Sequence, residues 1–63
     1  MKFELYEIWA VDTDGNEDLI DTTNSITEAK ELAQVTLDAG SVYVTIYREA
    51  DDGDLEVVEE FEA

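Results

Sequence analysis

Most residues of this chain that could take part in chemistry are carboxylates, since 18 of the 63 residues are Asp or Glu. The chain has no His and no Cys, which excludes Ser-His-Asp and Cys-His catalysis and the usual zinc, haem and iron–sulfur sites. Paired carboxylates can carry out acid–base or glycosidase chemistry, but one of them must be desolvated in a cleft. A domain of this size buries only about 60% of its unfolded surface. We therefore predict a single domain over residues 1–63 with no enzyme activity, no catalytic residues and no cofactor.

One segment invites a calcium interpretation. Residues 12–17, DTDGNE, share the Asp-x-Asp-x-Asn start of an EF-hand loop. The sixth position of that loop requires Gly but is Glu17, and the twelfth requires Glu but is Thr23. An EF-hand loop also joins two helices, whereas the flanks of this segment have the composition of strands. We interpret residues 12–17, and likewise the acidic turn at 51–54, as hairpin turns with solvated acids, and we predict no metal site.

The charge balance limits the partners of the chain. With only 3 Lys and Arg the net charge is -15, which repels nucleic acid and anionic membranes. We expect a protein partner with a basic face, or a second copy of the chain, and no direct contact with nucleic acid or membrane. The sequence begins without a basic segment followed by an apolar one and has no apolar run near the roughly 20 residues that span a bilayer. These features predict a cytoplasmic location.

High net charge is common in disordered chains, but 44% of these residues are hydrophobic and they recur periodically. The pattern predicts strands at 3–11, 19–23, 42–49 and 55–61. Asp-Gly pairs at 14–15 and 52–53 mark hairpin turns. Ser25 and Glu28 form a capping box, in which the hydroxyl accepts the Glu28 amide and the carboxylate reaches back, and helix formers follow as far as Leu37. Gly40 is placed to end the helix.

The element order is ββαββ, and it predicts an α+β fold of two layers. A right-handed crossover through the helix delivers the third strand next to the first and antiparallel to it. We therefore predict a four-stranded antiparallel sheet in the order 2-1-3-4, with one helix packed on one face.

Alternation along the strands predicts which side chains face the helix. The helix is expected to cover Phe3, Leu5, Trp9, Val11, Val42, Val44, Ile46, Leu55, Val57 and Phe61. The uncovered side would then carry Tyr6, Ile8, Ala10, Tyr43, Tyr47 and Val58, framed by Glu4, Glu56 and Glu60. Glu7 departs from this pattern, because its position would place a carboxylate beneath the helix unless a bulge or an edge position relieved it.

An aromatic patch within a carboxylate rim is typical of a protein-binding surface. We therefore predict a small acidic, non-catalytic protein-interaction module that binds through the open sheet face or its acidic rim, with a homodimer as one form of that interaction. The predicted partner-binding residues are Tyr6, Ile8, Tyr43, Tyr47, Val58, Glu56, Glu59, Glu60 and Glu62.

Two alternative hypotheses explain the high negative charge of the chain. Same-face carboxylates two residues apart on a strand repeat at roughly 6.6–6.8 Å, a spacing comparable to that of backbone phosphates. In size, acidity and expected architecture the chain resembles the DNA-mimic proteins of bacteriophages and mobile elements, which implies an inhibitor of a restriction enzyme, CRISPR effector or glycosylase. The chain contains no motif of those proteins, so none of its residues can be assigned as a contact residue by this resemblance. The composition also resembles that of halophilic archaeal proteins, whose acidity is an adaptation to salt.

Overall fold

A computed structural model describes residues 4–63 of the chain. Its elements are strands β1 (Tyr6–Val11) and β2 (Glu17–Thr23), helix α1 (Ile26–Asp38), and strands β3 (Tyr43–Glu49) and β4 (Leu55–Glu62). The strands form one antiparallel sheet in the order β2-β1-β3-β4. The predicted α+β fold and strand order are confirmed. β1 and β3 are central, whereas β2 and β4 form the edges of the sheet.

The two hairpin turns have the same backbone hydrogen bonds. In the first, the Asp12 amide donates to the Asn16 carbonyl and the Gly15 amide donates to the Asp12 carbonyl. In the second, the Ala50 amide donates to the Asp54 carbonyl and the amide at position 53 donates to Ala50. Each turn contains one glycine with positive φ, 87° at position 15 and 88° at position 53, a backbone conformation that residues with a Cβ rarely adopt.

Helix α1 is capped at both ends. The Ser25 hydroxyl accepts the Glu28 amide at 3.3 Å, as the sequence predicts. The Ser25 amide instead donates to the hydroxyl of Thr23 in β2, at 3.2 Å. The prediction that the Glu28 carboxylate accepts from this amide is therefore wrong. At the other end the Gly40 amide donates to Leu37 and the following amide donates to the carbonyl at 36, which is the Schellman arrangement.

The core lies between α1 and the two central strands. Its buried hydrophobic residues come from β1 (Tyr6, Ile8 and Ala10), α1 (Ala29 and Ala33) and β3 (Val44 and Ile46). Both helix residues are small and fully buried, so the helix backbone can approach the sheet closely. Ile26, Leu32, Leu37 and Phe61 pack around the margin of this core.

The predicted face of β1 is wrong. Tyr6, Ile8 and Ala10 are buried beneath the helix, whereas the sequence pattern assigned them to the uncovered side. Because Ile8 pairs with Ile46 and Ala10 pairs with Val44, these residues share the covered face. If β1 turned its other face to the helix, the Glu7 carboxylate would lie beneath the helix. This arrangement is disfavoured because burying an unpaired charge costs more than exposing part of an apolar side chain. Phe3 lies outside the described residues.

Bulges in the edge strands reverse part of the predicted pattern there. In β4 the partners of Ile46 and Tyr47 are Glu59 and Val57, so Val58 is an extra residue. The bulge lets Phe61 face the core while Leu55 and Val57 lie on the opposite side. The other bulge is in β2, where Ile20 is an extra residue between the partners of Ile8 and Trp9. Of the expected core positions, Leu55 and Val57 move to the uncovered side through the β4 bulge, and Trp9 and Val11 lie there because of the face that β1 presents to the helix. Two more, Leu5 and Val42, are exposed.

A matched pair of valine substitutions tests this assignment. Both valines were expected beneath the helix, but Val44 is fully buried and Val57 is 55% exposed. We expect Val44→Ala to reduce the free energy of unfolding by about 2–3 kcal/mol, from lost burial and a cavity. Val57→Ala should cost about 1 kcal/mol or less. Equal losses in urea unfolding would contradict the assignment.

Candidate partner-binding face

The side of the sheet opposite α1, which we call the open face, is built from cross-strand rows. One row contains Glu17, Val11, Tyr43 and Glu62, the next contains Leu19, Trp9, Thr45 and Glu60, and the third contains Thr22, Glu7, Tyr47 and Val57. Glu49 and Leu55 pair at the end of β3 and β4. The strands therefore place three aromatic side chains and four aliphatic ones on a single surface.

Parts of this apolar surface are open to solvent. Val57 is 55% exposed, Leu19 is 47% exposed and Leu55 is 45% exposed. Trp9 and Tyr47 lie between them in the rows and are half-buried. Thr45, at the centre, is buried, so its neighbours on the sheet cover it. The result is an apolar band across the open face, from the β2 edge to the β4 edge.

Two of the aromatic residues donate hydrogen bonds to carboxylates on this face. The Trp9 indole Nε1 donates a hydrogen bond to Glu7 Oε1 at 2.9 Å. The Tyr43 hydroxyl donates to the Glu60 carboxylate, and this hydrogen bond, with smaller effects of burial and of neighbouring charges, raises the pKa of Tyr43 to about 12. The polar atoms of both rings are thus directed to acids of the same surface.

The cationic side chains of the described part of the chain lie away from the open face. Arg48 pairs with Tyr6 in the ladder and so lies on the covered side, where Nη2 is 2.6 Å from Glu56 Oε2 and Nη1 is 3.8 Å from Glu4 Oε1. Lys30 on α1 lies 3.7 Å from Glu59. All these groups are partly exposed, so solvent screens each pair and its contribution to stability is small. Within residues 4–63 the open face therefore has carboxylates but no cation.

The cluster around Arg48 also includes a buried tyrosine. The Tyr6 hydroxyl donates to Glu4 Oε2 at 2.5 Å. This hydrogen bond, followed by burial, raises the pKa of Tyr6 above its ordinary value, while the hydrogen bond and charge of Glu56 raise the pKa of Arg48. Beside the cluster lies an open depression lined by Glu4, Asn24, Arg48, Glu49, Ala50, Asp51, Asp52 and Glu56. Its lining has a single cationic side chain among several acids.

The structure divides the predicted partner-binding residues into four groups. Tyr43, Tyr47, Glu60 and Glu62 lie together on the open face. Tyr6 and Ile8 belong to the core, so their assignment to the open face is wrong. Glu56 and Glu59 lie on the covered side beside Arg48 and Lys30. Val58 is the bulge residue of β4 and is partly exposed.

Sequence reasoning missed several residues of the open face: Glu7, Trp9, Val11, Glu17, Leu19, Glu49, Leu55 and Val57. A signal for the β1 members was present, because Glu7 shares its face with Trp9 and Val11. A carboxylate in a central strand of a one-helix sheet belongs on the solvent side. The sequence contains no comparable signal for Leu55 and Val57, because the face on which they lie depends on the bulge in β4.

The EF-hand-like segment is a hairpin turn in the structure. The Asp12 carboxylate accepts the backbone amides of Asp14 at 2.9 Å and Asn16 at 3.0 Å. The side chain therefore replaces backbone acceptors within its own turn, as aspartate commonly does. Over residues 4–63, no group of three or more acidic side chains is placed to hold a metal ion.

Comparison of the chain with protein-family models, with curated proteins and with solved structures found no match. Along the part of the chain that the structure describes, no helix has the length and apolar character required to cross a membrane.

The Tyr43–Glu60 contact leads us to predict how stability changes at high pH. Because the pKa of Tyr43 is about 12 in the folded protein and about 10 in an unfolded chain, its contribution to stability is complete below pH 10. It is lost as the pH rises from about 10 to about 12. Removing the charge in Glu60→Gln should lower the pKa of Tyr43 toward its ordinary value, measured by NMR of the labelled tyrosine ring.

Glu56→Gln is the matched control for this titration. It removes the same charge from the same strand, but on the covered side beside Arg48, and it should leave the Tyr43 titration close to that of the unmodified chain. A pKa of Tyr43 that responds equally to both substitutions would show that net charge, rather than the contact, sets its value.

Proposed function

We propose that this protein is a non-catalytic protein-interaction module that binds its partner through the open face. The observation that carries the proposal is the apolar band of Leu19, Trp9, Tyr47, Val57 and Leu55, left uncovered on one side of a sheet whose other side is packed against the helix. Such contiguous apolar surface on a small domain costs free energy in water, and a partner that covers it recovers that energy.

The residue types of the band support the same proposal. Tryptophan and tyrosine contribute a large part of binding energy at protein interfaces, because their rings bury much area with few rotatable bonds. Here Trp9, Tyr43 and Tyr47 are only half-buried by the fold itself. The flanking carboxylates provide the polar rim that surrounds the apolar centre of typical interfaces.

The absence of catalysis is part of the proposal and rests on where the acids lie. A carboxyl group becomes a useful general acid at neutral pH when burial raises its pKa. The acids of the open face lie on a sheet surface in contact with solvent, and Glu56 and Glu59 have cationic neighbours. Neither arrangement is the enclosed cleft that acid–base catalysis by a carboxyl pair requires.

The open face favours an interface over mimicry of DNA. A mimic needs carboxylates repeated along a surface at the spacing of phosphates, and on this face only Glu60 and Glu62 follow one another on a strand. Elsewhere aromatic or aliphatic side chains, such as Leu19 and Val57, interrupt the acids. A phosphate-binding groove would gain nothing from those apolar groups.

Photo-crosslinking tests the proposed function directly. We expect p-benzoylphenylalanine in place of Val57, on the open face, to form a covalent product with a specific protein in cells of the source organism. The same amino acid in place of Val35, which is 64% exposed on α1, should not form that product. Identical products from both positions, or none from position 57, would contradict binding through the open face.

A salt-dependent melt separates this function from an adaptation to salt. We expect the chain to be folded at about 0.1 M KCl, with a melting temperature that rises toward about 2 M as the Debye length falls from about 10 Å to below 3 Å. Screening weakens the repulsion among 18 acids without being required for the fold. A chain that circular dichroism shows to be unfolded until KCl is concentrated would identify the acidity as an adaptation to solvent.

A further inference from the structure

The open face has an unbalanced charge that limits what can cover it. Its carboxylates are Glu7, Glu17, Glu49, Glu60 and Glu62. The cations of residues 4–63 are Lys30 on the helix and Arg48 on the covered side of β3, and their ion pairs are with acids that are not in this group. A partner that covers the face must therefore desolvate several acids for which the described chain provides no cation.

One of these acids lies among the aromatic residues. Glu7 faces Tyr47 directly across the β1–β3 ladder, and its neighbour two residues along β1 on the same face is Trp9. The hydrogen bond from Trp9 Nε1, at 2.9 Å, fixes the position of the Glu7 carboxylate. A carboxylate that adjoins two aromatic side chains offers a cation both a negative charge and aromatic π-faces.

We propose that the open face binds a protein segment that presents arginine side chains, with one guanidinium placed against Glu7 between Trp9 and Tyr47. The inference rests on the proposed function and names the partner chemistry for the same surface. A second position of the same kind lies at the other end of the face, where Tyr43 adjoins Glu60 and Glu62.

Arginine fits this surface better than lysine does. The guanidinium is planar, so it can lie on an aromatic ring while its N–H groups donate to a carboxylate at the edge of that ring. It is also less strongly hydrated than an ammonium group, so covering it with apolar neighbours such as Val57 costs less. The aliphatic part of the side chain can pack along the same apolar band.

A second copy of the chain does not meet these requirements. Two open faces brought together would place five carboxylates of one chain against five of the other, with no cation from residues 4–63 of either copy between them. Like charges that face one another across an interface repel and disfavour association. The charge of the open face therefore favours a cationic partner over self-association.

The test uses the intact chain with acetylated hexa-arginine amide as the probe and hexalysine amide of the same length for comparison. Trp9 is the single tryptophan of the sequence, so its fluorescence reports on the open face without interference. Amide NMR shifts locate the contact. We expect hexa-arginine to bind about threefold or more tightly than hexalysine, with the largest shifts at Glu7, Trp9 and Tyr47.

Two charge-matched variants distinguish a specific site from general attraction. Glu7→Gln should weaken hexa-arginine binding by about 3- to 10-fold. Glu31→Gln removes the same charge from an exposed position on the helix and should weaken it by less than about twofold. Amide spectra establish that both variants are folded. Equal losses in the two variants, or shifts centred on the acidic turn at 51–54, would overturn the inference.

The outcomes also separate this inference from the proposed function. If position 57 crosslinks to a protein partner while Glu7→Gln leaves hexa-arginine binding unchanged, the open face is an interface but the arginine assignment is wrong. If sedimentation shows a dimer that Tyr47→Ala dissociates, the occupant is a second copy and the assignment to a cationic partner is overturned.

Discussion

The cost of burying one carboxylate fixes the arrangement of the whole sheet. Glu7 lies in the middle of β1, a central strand with neighbours on both sides, so its side chain points either beneath the helix or to solvent. The solvent side is the cheaper choice, and the two-residue period of the strand then determines the rest of β1. Ile8 and Ala10 enter the core while Trp9 and Val11 are excluded from it. The exposed aromatic surface is a consequence of that choice.

The elements themselves follow from local sequence. The Asp-Gly turns, the Ser25 cap and the end of the helix at Gly40 each depend on a few neighbouring residues whose chemistry favours one local structure. The strand order follows from the handedness of the single crossover. These parts of the fold could therefore be predicted from the chain alone.

The assignment of faces could be predicted only in part, because it depends on tertiary packing. In β3 the alternation of Val44 and Ile46 with Tyr43 and Tyr47 is regular, and the structure follows it. In β1 both faces carry apolar side chains, and hydrophobicity alone favours the wrong one. In β4 a single extra residue at Val58 reverses the relation between Val57 and Phe61. A bulge in an edge strand leaves no local mark when the residues around it are all compatible with a strand.

The two bulges lie in β2 and β4, the strands that have a free edge. An unpaired strand edge is a template for the addition of another strand, and natural sheets protect it with bulges, twist and charge. Both edge strands here are also rich in acids, so another acidic strand would be repelled as it approached. The protein thus exposes a sheet face while discouraging growth of the sheet itself. A ligand of the proposed interface would be selected through side chains, and a bound segment would not need to be extended to be recognised.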